Sequence, residues 1–207
     1  MKRTLLILLT IFMVSNLKAQ EAGDLRFSFV LTPQISWLNS DHQYVDSKGS
    51  FLGYNFGVIM DRFFGDNYAL CTGLTINTTG GKLGYPPNNA IPAFIQTYKL
   101  KYIEVPLGLK LRSEDLHRTN IYGRFGLSNQ INIQARDRDN NNISDEVKLF
   151  AMGYHLGGGI EYSLGKRNAL MIGILYNNGF TDVTKKTYGI NDRANLNRFV
   201  FEFGFIF

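Results

Sequence analysis

Cysteine is nearly absent. Cys71 stands alone in 207 residues, which excludes an intramolecular disulfide framework and a cysteine-rich zinc site. Beyond the amino terminus, no stretch reaches the 18 or so apolar residues of a membrane-crossing helix. Charged residues make up only 19% of the chain, and the basic ones form no cluster on a periodic face, which argues against a nucleic-acid protein. Two independent domains would be crowded at this length, so one is expected. What the chain does have is glycine, 21 residues, and aromatics at 14%. That mixture favours β-structure over a helical bundle or disorder.

The first residues read as an address. Met1, Lys2 and Arg3 open with positive charge, residues 5–14 are apolar except Thr10, and residues 15–19 turn polar and end in Ala19. This is the layout of a secretory signal peptide, expected to occupy residues 1–19 and leave a mature barrel domain of residues 20–207. The apolar run covers about half of a spanning helix, and no cysteine follows to carry a lipid. Removing Lys2, Arg3 and Lys18 lowers the net charge from +5 to +2, so the basicity belongs largely to the leader.

From there the period is two. Residues 25–37 place Phe27, Phe29, Leu31, Ile35 and Trp37 on one face and Arg26, Ser28, Thr32, Gln34 and Ser36 on the other. Seven further segments follow, around residues 52–61, 68–77, 102–112, 121–133, 150–162, 170–176 and 198–207. The seventh is ambiguous, because Met171 and Leu175 fall on the polar side. The eighth is a stripe of Phe199, Phe201, Phe203, Phe205 and Phe207. Strict alternation indicates strands with two differently solvated faces. Short connections (62–67, 113–118 and 165–168) alternate with long polar ones (38–50, 79–97, 136–146 and 178–195). An even number of antiparallel strands with short turns at one end is the pattern of an outer-membrane barrel. The expected fold is therefore all-β: an eight-stranded antiparallel up-and-down transmembrane β-barrel with both termini periplasmic.

The polar face is rich in Gly, Ser, Asn and Gln, sizes that fit a narrow interior. It also carries a nearly balanced charge set, expected to form a lumen network: Arg26, Lys110, Arg112, Arg124 and Arg198 against Asp61, Glu104, Glu161 and Glu202. Arg124 is expected to pair with Glu104 and Glu161 on the neighbouring strands. Such a lumen argues against a small-solute channel. The apolar face is expected to meet outer-membrane lipid, with Trp37, Tyr54, Tyr68, Tyr162 and Phe207 near the interfaces.

The segment Tyr102-Ile103-Glu104-Val105-Pro106-Leu107-Gly108-Leu109-Lys110 resembles the "Y-[IL]-E-[IV]-P-L-x-[LV]-K" strand of PorT-like outer-membrane β-barrel proteins. The leader ending Ala19-Gln20, the Gly157-Gly158-Gly159 strand and the terminal Phe207 extend the resemblance over the mature chain. It implies an outer-membrane location, a possible association with envelope or secretion proteins, and a terminal Phe207 similar to the signal read by the barrel assembly machinery, a transient partner.

Catalytic and metal motifs are weak. His42 lies in a loop, His117 in a short turn and His155 on the lumen face, with no Ser or Asp two residues away on its strand. This argues against the alternative of a lipid-directed outer-membrane enzyme. Asp137, Asp139, Asn141 and Asp145 echo the first half of a calcium loop, but Lys148 replaces its closing glutamate, so a solvated hairpin tip is favoured. Gly80-Gly81-Lys82 lacks the other residues of a P-loop. No enzyme activity and no cofactor are expected. The functional expectation is a structural or interaction barrel.

Overall fold

The computed structural model describes residues 24–41, 45–87, 92–165, 167–185 and 193–207. The leader, residues 1–19, and His42 lie outside them. Nine strands form one sheet: β1 Leu25–Ser40, β2 Asp46–Gly49, β3 Phe51–Gly65, β4 Tyr68–Tyr85, β5 Phe94–Arg112, β6 Thr119–Arg136, β7 Phe150–Gly165, β8 Asn168–Gly179 and β9 Ala194–Ile206. Every pairing is antiparallel. β1 closes the ring on β9, from Ser28 opposite Ile206 to Ser40 opposite Ala194. The eight long strands thus make a closed up-and-down barrel. The short β2 continues the line of β3 beside β4, with Asp46 opposite Gly84. Closure leaves no unpaired edge, the condition for placing a sheet in hydrocarbon.

Alternation decides which face goes where. In β1, Ser28, Val30, Thr32, Gln34, Ser36 and Leu38 are buried, while Phe29, Leu31 and Ile35 are exposed. Around the rest of the wall, Phe56, Leu74, Leu107, Phe125, Ile174 and Phe203 also point outward, Leu74 being 60% exposed. An apolar belt running around the whole circumference would be an aggregation surface in water and matches acyl chains instead. Aromatic residues gather toward both ends of it. Trp37, Tyr176 and Phe199 cluster toward the loops, with Trp37 5.5 Å from Phe199. Phe27 stacks on Phe207, and Phe64 on Tyr68, toward the turns.

The seventh segment resolves cleanly. In β8, Leu170, Ile172 and Ile174 point out while Ala169, Met171 and Gly173 are buried. Met171 belongs to an interior cluster with Val30, Ile59, Cys71, Tyr122, Ala169 and Ile206. The interior therefore has an apolar layer, and that layer blurred the pattern.

The long connection expected over 79–97 needs correction. β4 runs on to Tyr85 and β5 begins at Phe94, so most of it is a paired hairpin arm rising from the barrel. Tyr85 stacks on Phe94 at 5.2 Å, and the Tyr85 and Tyr98 hydroxyls lie 2.9 Å apart. Gly80 and Gly81 hide the arm in the sequence, since they offer no side chain to either face. Pro33 and Pro106 sit inside strands without an N–H to give. Pairing of β1 with β9 skips positions 32 and 33, pairing of β4 with β5 skips 105 and 106, and both resume in the same register.

One glycine is required by close packing. The Tyr122 side chain lies over Gly173, where a Cβ would collide with its hydroxyl, and that hydroxyl donates to Glu202 at 2.7 Å. Gly173→Val should therefore displace Tyr122 and strip Glu202 of a donor, at a cost of about 1–3 kcal/mol as overpacking. The readout is the temperature at which the compact electrophoretic form is lost in detergent. An unchanged temperature would show that Tyr122 does not rest there.

Candidate functional site

The interior is layered from the turn end to the loop end. At the turn-side rim, the Arg26 and Arg112 guanidinium groups lie 5.0 and 5.1 Å from the Phe63 ring. Arg26 also pairs with Asp24 at 2.8 Å. Neither arginine reaches the other buried charges.

Next comes Lys110 of β5, with its ammonium 2.5 Å from both Asp61 of β3 and Glu161 of β7. Lys110 and Arg124 flank the Tyr122 ring, at 5.1 and 5.7 Å from its centroid. Arg124 of β6 pairs with Glu202 of β9 at 2.6 Å and donates to the Met171 sulfur at 3.7 Å. Above this, Arg198 of β9 grips Glu104 of β5 through two nitrogens, at 2.9 and 3.1 Å. The chain continues through Asn77, which donates to Glu104 at 2.8 Å, to Gln34, which donates to Asn77 at 2.5 Å. All seven charged side chains are nearly inaccessible, with Arg198 and Lys110 only 1% exposed.

These partners correct the expected pairing of Arg124 with Glu104 and Glu161. Lys110, not Glu104, lies opposite Arg124 in the neighbouring strand, and Glu104 lies opposite Gln130. Long side chains in a small barrel reach across the lumen. Arg124 and Glu202 are three strands apart around the ring, and Arg198 and Glu104 are four, diametrically opposed. Three cations serve four carboxylates, which is why Lys110 must bridge two of them. Adjacent-strand reasoning from sequence cannot find such pairs, because register and stagger decide them.

A cavity of about 50 Å³ with a mixed lining lies among Thr32, Ile59, Glu104, Arg124, His155 and Val200. That volume holds a few waters. His155 Nδ1 lies 3.2 Å from Ser128 Oγ, which accepts from Asn177 at 2.7 Å. The sequence reading missed this Ser–His contact because it forms diagonally between β6 and β7 and not along β7. Both residues face the lumen, away from lipid, and among the described residues no carboxylate is hydrogen-bonded to the imidazole.

Above the cavity the lumen becomes apolar. Leu38, Leu83, Tyr85, Tyr98, Leu100 and Tyr102 pack with loop residues Val45, Ile143, Val147 and Val183 into one core, with Phe94 against it. Among the described residues these side chains fill the loop end of the lumen.

The calcium candidates do not converge. Asp137 accepts from the Asn141 backbone and side-chain amides at 2.8 and 2.9 Å, bonds that hold its carboxyl below the usual range. Asn140 turns the tip with φ of 67°. Among the described residues no group of three or more His, Cys, Asp or Glu side chains is placed to hold a metal ion. Phe207, half exposed, donates its N–H to the Phe27 carbonyl at 2.9 Å and so ends the chain on the lipid face.

Residues 19–185 match the family described as outer membrane protein beta-barrel domain. No curated protein matches. Among solved structures, the chain is similar to Neisserial surface protein A, at 13% identity and a TM-score of 0.55 over 90% of this chain and 98% of that one. It also aligns with OprG from Pseudomonas aeruginosa, at 13% identity and a TM-score of 0.48, over 90% and 97%. A third alignment is with Ail, the attachment invasion locus protein of Yersinia pestis, at 13% and 0.40, over 90% and 100%. At these identities the likeness concerns the fold alone.

The cross-lumen pairs make a sharp expectation. Arg124→Ala strands Glu202 in a water-poor interior and should destabilise the barrel by about 3–5 kcal/mol, whereas Arg138→Ala on an exposed loop should cost almost nothing. Glu202→Ala made together with Arg124→Ala should recover part of the loss, and Glu104→Ala in its place should deepen it. Heat-modifiable migration measures each. Rescue by Glu104→Ala instead of Glu202→Ala would contradict the pairing.

Proposed function

The chain belongs to the outer membrane protein beta-barrel domain family, and from that premise we propose that it works as a non-catalytic interaction barrel, holding a rigid, loop-built surface at the cell exterior. The packed core at the loop end carries this reading. A barrel that spends Tyr85, Tyr98, Leu100 and Val183 on closing its mouth has an ordered platform there and poor continuity for solutes. The ionic layers below it oppose passage further, so a narrow channel is the weaker account.

A lipid-directed hydrolase finds little support. The Ser128–His155 contact faces a lumen with room for a few waters, and lipid would approach from the other face. The orientation proposed, with loops outside and both termini periplasmic, follows the usual asymmetry of turns and loops. The leader at residues 1–19 would direct export, and Phe207 would serve the assembly machinery. The Tyr102 to Lys110 strand favours the narrower PorT-like branch, and with it a place near envelope secretion proteins.

Ile95 on the arm and Phe180 beyond β8 are 60% and 50% exposed at the loop end, apolar side chains suited to a protein contact. Photo-crosslinkers at these positions in intact cells should capture a discrete envelope protein, while one at Leu170 on the lipid face should not. Reconstituted protein should pass no steady ion current. A stable conductance together with empty crosslinks would replace this reading with that of a channel.

A further inference from the structure

The outer wall of β5 and β6 changes character abruptly at the loop end. Below, Ile103 of β5 and Ile131 and Ile133 of β6 face outward as part of the apolar belt. Directly above them the outward positions are Lys99 and Lys101 of β5 and Arg136 of β6, with Lys99 opposite Arg136 and Lys101 opposite Gln134. Like charges directly opposite each other on one face of a sheet are unfavourable. No salt bridge relieves these three among the described residues. Lys99 donates to the Arg138 carbonyl at 2.9 Å and to Asn140 Oδ1 at 3.0 Å, both neutral acceptors. Asp137 lies within electrostatic range of Lys99 and offsets part of its charge, but forms no salt bridge with it and takes its hydrogen bonds from Asn141.

A bulge builds the arrangement. The register shifts between Lys101 opposite Gln134 and Tyr102 opposite Asn132, leaving Ile133 as an extra residue in β6. Ile131 and Ile133 point outward. Without the shift, Ala135 would follow them outward and Arg136 would turn into the apolar core. With it, Ala135 is fully buried in that core and Arg136 is exposed beside the two lysines. Bulges recur where a strand must re-aim a side chain for function. Elsewhere on the loop-side rim, the exposed Lys148 is neutralised by Asp182 at 2.6 Å.

Three cations without a salt-bridge partner among the described residues thus stand on the outer wall of β5 and β6, just past the last isoleucines of the apolar belt. Resting on the outer-membrane reading above, we propose that Lys99, Lys101 and Arg136 form a site for the phosphate of a lipid headgroup in the loop-side leaflet, with its acyl chains lying along Ile103, Ile131 and Ile133. Arg136 Nε and Nη2 donate to the Gln134 side-chain oxygen at 3.1 and 2.9 Å, which holds the guanidinium in place and leaves its Nη1 side for phosphate oxygens, while the lysines add point charges.

The test uses the refolded full-length mature chain in neutral detergent micelles doped with bis-phosphorylated lipid A, read by tryptophan-independent binding such as native mass spectrometry. The Lys99→Gln/Lys101→Gln/Arg136→Gln variant should bind about a hundredfold more weakly at low salt. A control removing Arg62, Arg118 and Arg167 at the turn end, each replaced by Gln, should bind as the parent does. Lipid A stripped of its phosphates should bind parent and variant equally weakly, and inorganic phosphate at the same concentration should not compete. Parent-like binding by the triple variant, or equal binding of the dephosphorylated lipid, would overturn the site. Effective competition by inorganic phosphate would overturn the lipid as its source. Heat-modifiable migration verifies folding, and the single Arg136→Gln variant, expected to lose about fivefold, serves if the triple one fails to fold. Failure of the parent to insert into vesicles at all would defeat the membrane reading itself, whereas insertion without phosphate preference would defeat only this site.

Discussion

A backbone amide placed in hydrocarbon has no water to bond, and closure of β1 on β9 gives the two edge strands their partners. Everything else follows from that ring. Once the sheet is closed, alternate side chains have no choice of environment. Half must suit acyl chains, and the other half must fill a narrow interior and satisfy one another there. The Phe stripe of β9 and the glutamate and arginine between its phenylalanines are two consequences of the same constraint. Glu202 and Arg198 can sit in that interior only because Arg124 and Glu104 reach them from the far wall.

The interior is therefore a stack of buried charges that pair with one another across the lumen. Lys110 bridges Asp61 and Glu161, Lys110 and Arg124 both lie against the Tyr122 ring, and Asn77 and Gln34 carry the bonding upward to the apolar core. Buried ion pairs are weak net sources of stability, but losing one partner is costly. Such a stack resists piecemeal change more than it adds free energy. It also leaves the outside of the barrel free to specialise. The loop end gains a packed apolar core, and the outer wall of β5 and β6 gains a group of cations.

Much of this architecture is legible in the sequence, because period two with unequal connections can be read in seven of the segments despite inward apolar residues such as Val30 and Ile59. Phe199 to Phe207 needs no structure to be read as a lipid-facing edge of a strand. β8 was opaque for a physical reason: Met171 belongs to an apolar layer inside the barrel, so inward no longer meant polar. The hairpin arm was hidden by Gly80 and Gly81, and the proximity of Ser128 and His155 by its diagonal path between strands. The outward turn of Arg136 depends on one extra residue, Ile133, and a one-residue shift inverts every face assignment beyond it. Strand identity is local information. Partner identity across the lumen is not.

The lumen is closed by direct ion pairs that reach between non-adjacent strands. Solid-state NMR of the protein in lipid bilayers, with nitrogen-15 in the Lys110 and Arg198 side chains and carbon-13 in the carboxylates, measures those contacts directly. Strong dipolar coupling of Lys110 Nζ to the carboxylate carbons of both Asp61 and Glu161, and of the Arg198 guanidinium to that of Glu104, is the result this account predicts. Carboxylates coupled to mobile water and to no side-chain nitrogen would contradict it, and would describe a hydrated pore in place of a sealed barrel.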